Sequence, residues 1–284
     1  MLSIRSSDVL AGFRYYHYTP SLPAAALFVV LFALATGLHA YQMFRTRTWF
    51  MIAFCIGGLL ELIGYIGRAM SAAQQPGAWT LGPFVLQSTL LLVAPALFAA
   101  SIYMELGRIV QMVDGDAHLF IRRRWMTKIF VCGDVLSFLM QGSGGGLMSG
   151  KSADSIKTGQ NIVVGGLWVQ IIFFGMFVAT ATFFHLRLRK VPTDRSAVTP
   201  WRKHMFALYL TSGLILVRSA VRVVEYLQGF TGYLLEHEVF LYVFDAMLML
   251  SVMLIMNWIH PSEVRACIRG GKSVTGLRLA AVSV

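Results

Sequence analysis

The sequence predicts an all-α integral membrane protein, a bundle of seven transmembrane helices with the N-terminus outside and the C-terminus in the cytosol. Three observations predict it. Only 13% of the 284 residues are charged while 57% are hydrophobic, against about 25% charged in soluble domains. Apolar stretches about 20 residues long recur along the chain, each enough to cross about 30 Å of hydrocarbon at about 1.5 Å per residue. Lys and Arg collect on alternate loops, as the positive-inside rule requires of a multi-span chain.

The spans lie near 22–44, 49–67, 81–106, 126–148, 162–185, 204–227 and 239–259. They are too long and too uniformly apolar for barrel strands, and lipid offers the backbone no hydrogen-bond partner, so each is expected to be a helix. Residues 1–21 form an external lead. It has no short apolar core followed by a small-residue cleavage site, so the first apolar stretch is expected to stay in the mature protein. Residues 22–259 then make one membrane domain and 260–284 a cytosolic tail. Cys55 and Cys132 fall inside spans and Cys267 in the tail, which leaves no loop pair to form a disulfide. Acylation is the lesser reading of Cys267.

Orientation follows from the loop charges. The first, third and fifth loops and the tail hold 16 Lys and Arg, and the N-terminus with the second, fourth and sixth loops holds 5. The richer set belongs in the cytosol. Trp49, Trp125, Trp201 and Trp258 all fall at helix ends on that side, where an interfacial aromatic belt is expected. This asymmetry accounts for most of the net charge of +11, set against anionic headgroups, without any need for nucleic acid.

One motif points elsewhere. "GGLMSGKS" at 145–152 fits the phosphate-binding pattern G-x-x-x-x-G-K-[ST], but that loop needs a buried strand before it and a helix after it, on a side where ATP is present. Here the match follows the fourth helix on its outer side. It reads better as a glycine-rich helix end, with Gly142 and Gly146 at the small-xxx-small spacing of packed membrane helices. Pro95 inside the third span predicts a kink. His39 and His185 stand near cytosolic helix ends without metal-ligand spacing between them, and no cofactor is expected.

Ionisable groups inside spans cost about 2.5 to 3.5 kcal/mol each near a helix centre, so each asks for a partner or a cavity. The second span carries Glu61, Tyr65 and Arg68, the sixth Arg218, Arg222 and Glu225, and the seventh Glu238, Tyr242 and Asp245, every set at i, i+4 and i+7 on one helical face. The fourth carries Asp134, Ser137 and Gln141. Gln87 adds an amide to the third span and Gln170 another to the fifth. Such stripes predict a shared polar interior, mostly in the outer half of the bilayer, with Asp134 deeper. Glu61, Asp134, Glu225, Glu238 and Asp245 outnumber Arg68, Arg218 and Arg222 by two charges, so mutual pairing alone cannot neutralise the set. A proton or a bound cation must supply the difference.

The stretches "GLLELIGYIGRAM" (58–70), "LQSTLLLVAPALFAASIYMELGRIV" (86–110), "DVLSFLMQGSGGGLM" (134–148) and "VRVVEYLQGFTGYLLEHEVFLYVFDAMLM" (221–249) resemble the fungal RTA-like proteins of the lipid-translocating exporter family, in order, from about residue 18 to 261. The resemblance implies a fungal seven-span protein, usually of the plasma membrane, associated with export or flipping of sphingoid long-chain bases and with resistance to toxic amphiphiles. One branch of the family is linked to porphyrin and haem movement. The family's recurring polar positions correspond to Glu61, Arg68, Gln87, Tyr103, Asp134, Gln141, Arg222, Glu225, Glu238 and Asp245.

The expected activity is therefore transport of an amphiphile without an ATP site. The headgroup, cationic in the leading version, enters the outer polar cavity while its tails stay among membrane lipids. The expected substrate contacts are Glu61, Arg68, Gln87, Asp134, Gln141, Arg218, Arg222, Glu225, Glu238, Tyr242 and Asp245, with Asp134 as the candidate proton carrier. Clustered carboxylates also fit an intramembrane enzyme acting as general acid and base on a hydrophobic substrate. A seven-helix lipid sensor is the third reading.

Overall fold

Pro23 in the first turn of α1 (Leu22–Thr46), where a missing N–H costs nothing, and Arg47 in the left-handed region at φ 55° mark the two ends of the first long rod. The computed structural model describes residues 18–75, 79–148, 152–228 and 232–282. A single 3-10 turn (Trp49–Met51) leads into α2 (Ile52–Ala72), and α3 (Leu81–Met112) runs unbroken through Pro95. α4 (Arg123–Met148) and α5 (Ala153–Lys190) follow. Ser152 caps α5 by accepting from the Ser155 amide at 3.1 Å. Asp154 in its first turn and Arg187, Arg189 and Lys190 in its last complement the helix dipole. After the short α6 (Asp194–Val198) come α7 (Trp201–Gln228), the single turn α8 (Tyr233–Glu236) and a rod made of α9 (Glu238–Leu241), a π-helical stretch (Tyr242–Met247) and α10 (Leu248–Trp258).

The burial pattern is that of a protein whose outer solvent is oil. Leu27, Val30, Leu34, Leu139, Ile172 and Leu254 all lie more than half exposed, whereas Glu61, Arg68 and Glu105 are fully buried. Among the described residues six helices are long and apolar enough to cross a membrane, which makes the chain a multi-pass membrane bundle. The remaining long rod is α4. At 26 residues it has the length, but Arg123, Arg124, Lys128 and Asp134 together with its glycine-rich end dilute its apolarity. Trp49, Trp125 and Trp258 are at least half exposed, as a belt residue should be, but Trp201 is buried and donates from Nε1 to the Ser196 carbonyl at 3.1 Å.

α4 and α5 form an antiparallel pair through glycine, though not through the expected residues. Gly142 and Gly146 have nothing opposite them, whereas a Cβ on Gly144 would stand 2.6 Å from the Gly159 carbonyl oxygen. The reason is helical phase. Ser137, Gln141, Gly144 and Met148 share the buried face of α4, and Gly142 and Gly146 fall on the other side. The P-loop-like stretch begins inside α4, with no strand before it among the described residues, and its Ser149, Gly150 and Lys151 lie outside them.

The tail is ordered, and the all-α expectation missed it. α11 (Ser262–Arg269) turns back under the bundle, and β1 (Gly271–Thr275) pairs antiparallel with β2 (Arg278–Val282). Gly276 at φ 59° opens the two-residue turn, a position where a glycine can be left-handed without strain. The hairpin docks through polar bonds: the Val274 amide donates to Ser262 Oγ at 2.9 Å, and Gln42 Nε2 of α1 donates to the Gly276 carbonyl at 2.8 Å. Arg265 donates to the Thr46 carbonyl at the end of α1. Cys267 is packed inside this junction at 8% exposure, which hides the thiol that acylation requires.

Candidate functional site: a buried ion-pair cluster

The i, i+4, i+7 stripe of α2 turns Glu61, Tyr65 and Arg68 into the bundle, all fully buried. Opposite stand the equivalent stripes of α7 and of the last rod. Between them the residues form two connected polar groups. In the first, Arg68 pairs with Glu238 at 2.6 Å and donates to the hydroxyls of Tyr242 and Tyr18, both at 3.0 Å. Its guanidinium also lies over the rings of Tyr242 and Tyr18, 5.1 and 5.6 Å from the centroids, so the cation is held by charge, hydrogen bonds and π faces together. The Ser21 amide donates to both Glu238 oxygens at 2.9 and 3.0 Å. The end of the N-terminal lead is thus pinned to the seventh rod, a role that nothing in its polar, aperiodic sequence signals.

In the second group, Arg218 donates from Nε to Asp245 and from Nη2 to the Leu91 carbonyl of α3, both at 2.5 Å. Arg222 pairs with Glu225 one turn further along α7 at 3.1 Å and approaches the other Asp245 oxygen at 4.0 Å. Asp245 sits within the π-helical stretch. A π turn carries an extra residue and recurs at functional sites; here it lets Glu238 and Tyr242 reach Arg68 while Asp245 reaches α7. Tyr65 lies between the two groups, stacked on Phe32 at 5.3 Å and beside Tyr242 at 6.3 Å.

The three arginines are matched one to one by Glu238, Asp245 and Glu225. The two acids in excess are Glu61 and Asp134, and both oxygens of each are buried without a hydrogen-bond partner. The charges facing Glu61 are those of Asp245, Arg218 and Arg222. An unpartnered carboxylate in such a place is expensive as a bare anion, so these two groups are where a proton or a cation has most to offer.

Asp134 stands apart from the arginine cluster. It faces the Tyr103 hydroxyl of α3 without closing a well-formed hydrogen bond, and Tyr103 is walled in by Phe130, Phe174 and Phe177. One and two turns on, Ser137 donates to the Gly166 carbonyl at 2.7 Å and Gln141 donates to Ser137 and to Gln170. These bonds tie α4 to α5. Among the described residues no hydrogen bond or ion pair joins Asp134 or Gln141 to the arginine cluster, so the single polar interior expected from the stripes is divided in two. The Gln87 backbone packs against Gly67 at the α2–α3 seam.

A pocket opens beside the second group. Arg218, Arg222 and Glu225 of α7, Phe240, Leu241, Phe244 and Asp245 of the last rod, and Leu234 line it, around about 430 Å³ including the open mouth. It brings four alternating charges, in the contact order Arg218, Asp245, Arg222 and Glu225, beside apolar side chains. Among the described residues no three His, Cys, Asp or Glu side chains are arranged to hold a metal.

A third polar centre, at the opposite end, is absent from the stripe analysis. Glu105 of α3 is fully buried with both oxygens unpartnered, 3.7 Å from His204 Nδ1; the other His204 nitrogen meets Glu263 of α11 at 3.1 Å, and Glu263 also accepts from Lys203 at 2.8 Å. Glu105 lies within the third span next to its boundary, and the one available signal was a lone acid in an otherwise apolar run. On the neighbouring seam the His39 ring bonds the Met253 carbonyl at 2.9 Å, and Gln42 and Asn257 make further side-chain-to-backbone bonds between α1 and α10.

Comparison with known proteins places this architecture. Residues 54–266 match the family described as RTA1 like protein. The chain is 41% identical to Protoporphyrin uptake protein 1 of Saccharomyces cerevisiae, with 86% of this chain and 91% of that one covered. It is 35% identical to Protein RTA1 of the same yeast over 86% and 84% of the two chains, and 24% identical to the yeast Sphingoid long-chain base transporter RSB1 over 87% and 73%. No solved structure matches. With its polar stripes, its buried arginines and the span between them all inside the matched region, the chain belongs to the RTA1-like family of fungal membrane proteins.

Proposed function

We propose that the protein moves an amphiphile across or between the leaflets of the plasma membrane without ATP, through the pocket between α7 and the last rod. α4 serves as the seventh crossing, the lead lies outside and the tail lies in the cytosol, in keeping with the loop charges. The observation that carries the reading is the pocket itself, with alternating charges beside apolar side chains and, near Asp245, Arg218 and Arg222, Glu61 with no hydrogen-bond partner. A cationic long-chain base would place its ammonium between Glu225 and Asp245 and draw charge compensation from Glu61, while its chain follows Phe240 and Phe244 into lipid. Asp134 serves as the deeper proton site.

The yeast relative named for protoporphyrin uptake supports a second substrate reading. In it the carboxylates of a tetrapyrrole meet Arg218 and Arg222, and its rings lie on Phe240 and Phe244. Sealed liposomes carrying the purified protein separate the two. Flux of fluorescent long-chain base that is lost in Glu61→Gln, with porphyrin unmoved, supports the first; the opposite selectivity, lost in Arg222→Gln, supports the second. Saturable binding with no flux of either refutes transport and favours a sensor, and chemical conversion of the added lipid refutes it in favour of an enzyme.

A further inference from the structure

The end of the bundle that carries the ordered tail gathers arginines around a second open region, separate from the pocket above. Two adjoining open cavities of about 440 and 690 Å³ share Phe50 and Arg108 as a common wall. The first is bounded by Arg47 and Trp49 from the α1–α2 turn, by Arg108 from α3, and by Arg265 and Arg269 from α11. The second adds Arg123 and Arg124 from the start of α4. Six guanidinium groups thus converge from four separate parts of the chain.

Their charge is not answered from within the protein. Among the described residues Arg47, Arg108, Arg124, Arg265 and Arg269 form no ion pair, and Arg123 has only a weak one with the exposed Asp116 at 3.5 Å. Glu263, the acid of α11, is already taken by Lys203 and His204. Arg123 Nη1 is shielded from solvent without an acceptor. Arg108 lies over the Phe50 ring at 5.3 Å, and the charges nearest to it are all positive: Arg269, Arg123 and Arg265. Like charges gathered at this density repel one another unless an anion joins them.

We propose that this arginine basin binds the phosphomonoester headgroup of an anionic membrane lipid, whose glycerol and chains run along Phe50, Trp49 and Ile268. Planar guanidinium forks match phosphate oxygens bidentately, and a phosphomonoester carries about −1.5 to −2 charges, more than a diester offers to so many cations. The apolar side of the basin selects the lipid-borne phosphate over the free one: Trp49 is half exposed at the turn between α1 and α2, and Ile268 lines the same cavity. A lipid seated here fastens α11 to the α1–α2 turn and to the end of α3.

Native mass spectrometry of the full-length, delipidated protein, with phosphatidic acid or phosphatidylcholine added back, tests this. Phosphatidic acid should be retained preferentially. Arg108→Gln with Arg269→Gln should weaken its retention about 25-fold, at about fivefold per arginine near a membrane surface, and the exposed Arg269→Gln alone about fivefold. Arg187→Gln, which changes an arginine outside the basin, should leave it unchanged. Equal retention of the two lipids, or an Arg187→Gln loss as large as that of the double variant, overturns the proposal. Added inorganic phosphate that raises the melting temperature in a basin-dependent way, with no lipid retained, assigns the basin to a soluble anion and overturns the lipid part. If the double variant does not fold, the Arg269→Gln measurement decides.

Discussion

Replacing Arg218 by methionine separates the ion pairs that hold the bundle together from the acids that are free to work. The Arg218 side chain is 4% exposed and that of Asp245 5%. Removing the guanidinium leaves Asp245 with only the 4.0 Å approach of Arg222 and leaves the Leu91 carbonyl without its donor. Breaking a buried pair in this way costs about 3–5 kcal/mol, because the surviving charge is stranded, whereas removing both partners together is close to neutral. At about 2–4 °C per kcal/mol, Arg218→Met should lower the melting temperature in detergent by roughly 6–20 °C, and Arg218→Met with Asp245→Leu should recover most of it. Glu61→Gln is the contrast. Both Glu61 oxygens lack partners, so the isosteric amide forfeits no hydrogen bond and should change stability by no more than about 1 kcal/mol. Intrinsic fluorescence melts of purified variants make the comparison. An Arg218→Met protein that melts with the wild type, or a Glu61→Gln protein that melts as low as Arg218→Met, refutes the one-to-one pairing.

Asp134→Asn should leave the melting temperature within about 2 °C, since no hydrogen bond is lost, but should flatten the pH dependence of substrate flux in liposomes; an unchanged pH profile removes Asp134 from proton carriage. Gly159→Ala should destabilise by about 1–3 kcal/mol, because its Cβ would stand 2.5 Å from the Gly144 carbonyl oxygen and backbone cannot step aside. Gly142→Ala, with open space beside it, should be neutral or slightly stabilising, and a melt of the pair reads the difference. Arg68→Met should release the Tyr18 hydroxyl from α2 and strip Glu238, which holds the Ser21 amide, of its cation, and limited proteolysis should then cut ahead of α1 several-fold faster than in the wild type; unchanged cleavage means that the lead is held by something else.

Much of this was legible because membrane burial leaves a plain trace. A charge inside an apolar run must face inward, so spacing alone brought Glu61 with Arg68, Arg218 with Arg222 and Glu238 with Asp245 to the interior, and counting charges gave an excess of two acids. Spacing could not say which acids those were. That depends on how neighbouring rods are rotated, and the rotation of the last rod is set by a π turn within Tyr242–Met247 that an α-helical wheel does not represent. The same ignorance of phase made Gly142 and Gly146 look like the packing pair when Gly144 is the residue in contact. Glu105 escaped notice because His204, the side chain that faces it at 3.7 Å, comes from an element far along the chain and shares no period with it. The tail hairpin escaped because its strands are short and rest on single bonds to α1 and α11, which no local pattern records.

A helical turn with one residue too many is a stored rotation. Expelling that residue from 242–247 would re-phase everything on one side of it by about 100°, with 248–258 keeping its seat against α1 and α7. Glu238 and Tyr242 would swing off Arg68, and the Ser21 amide would lose its seat on Glu238, so that one local rewinding unlatches the end of the bundle that carries Ser21 while the end that carries the tail stands still.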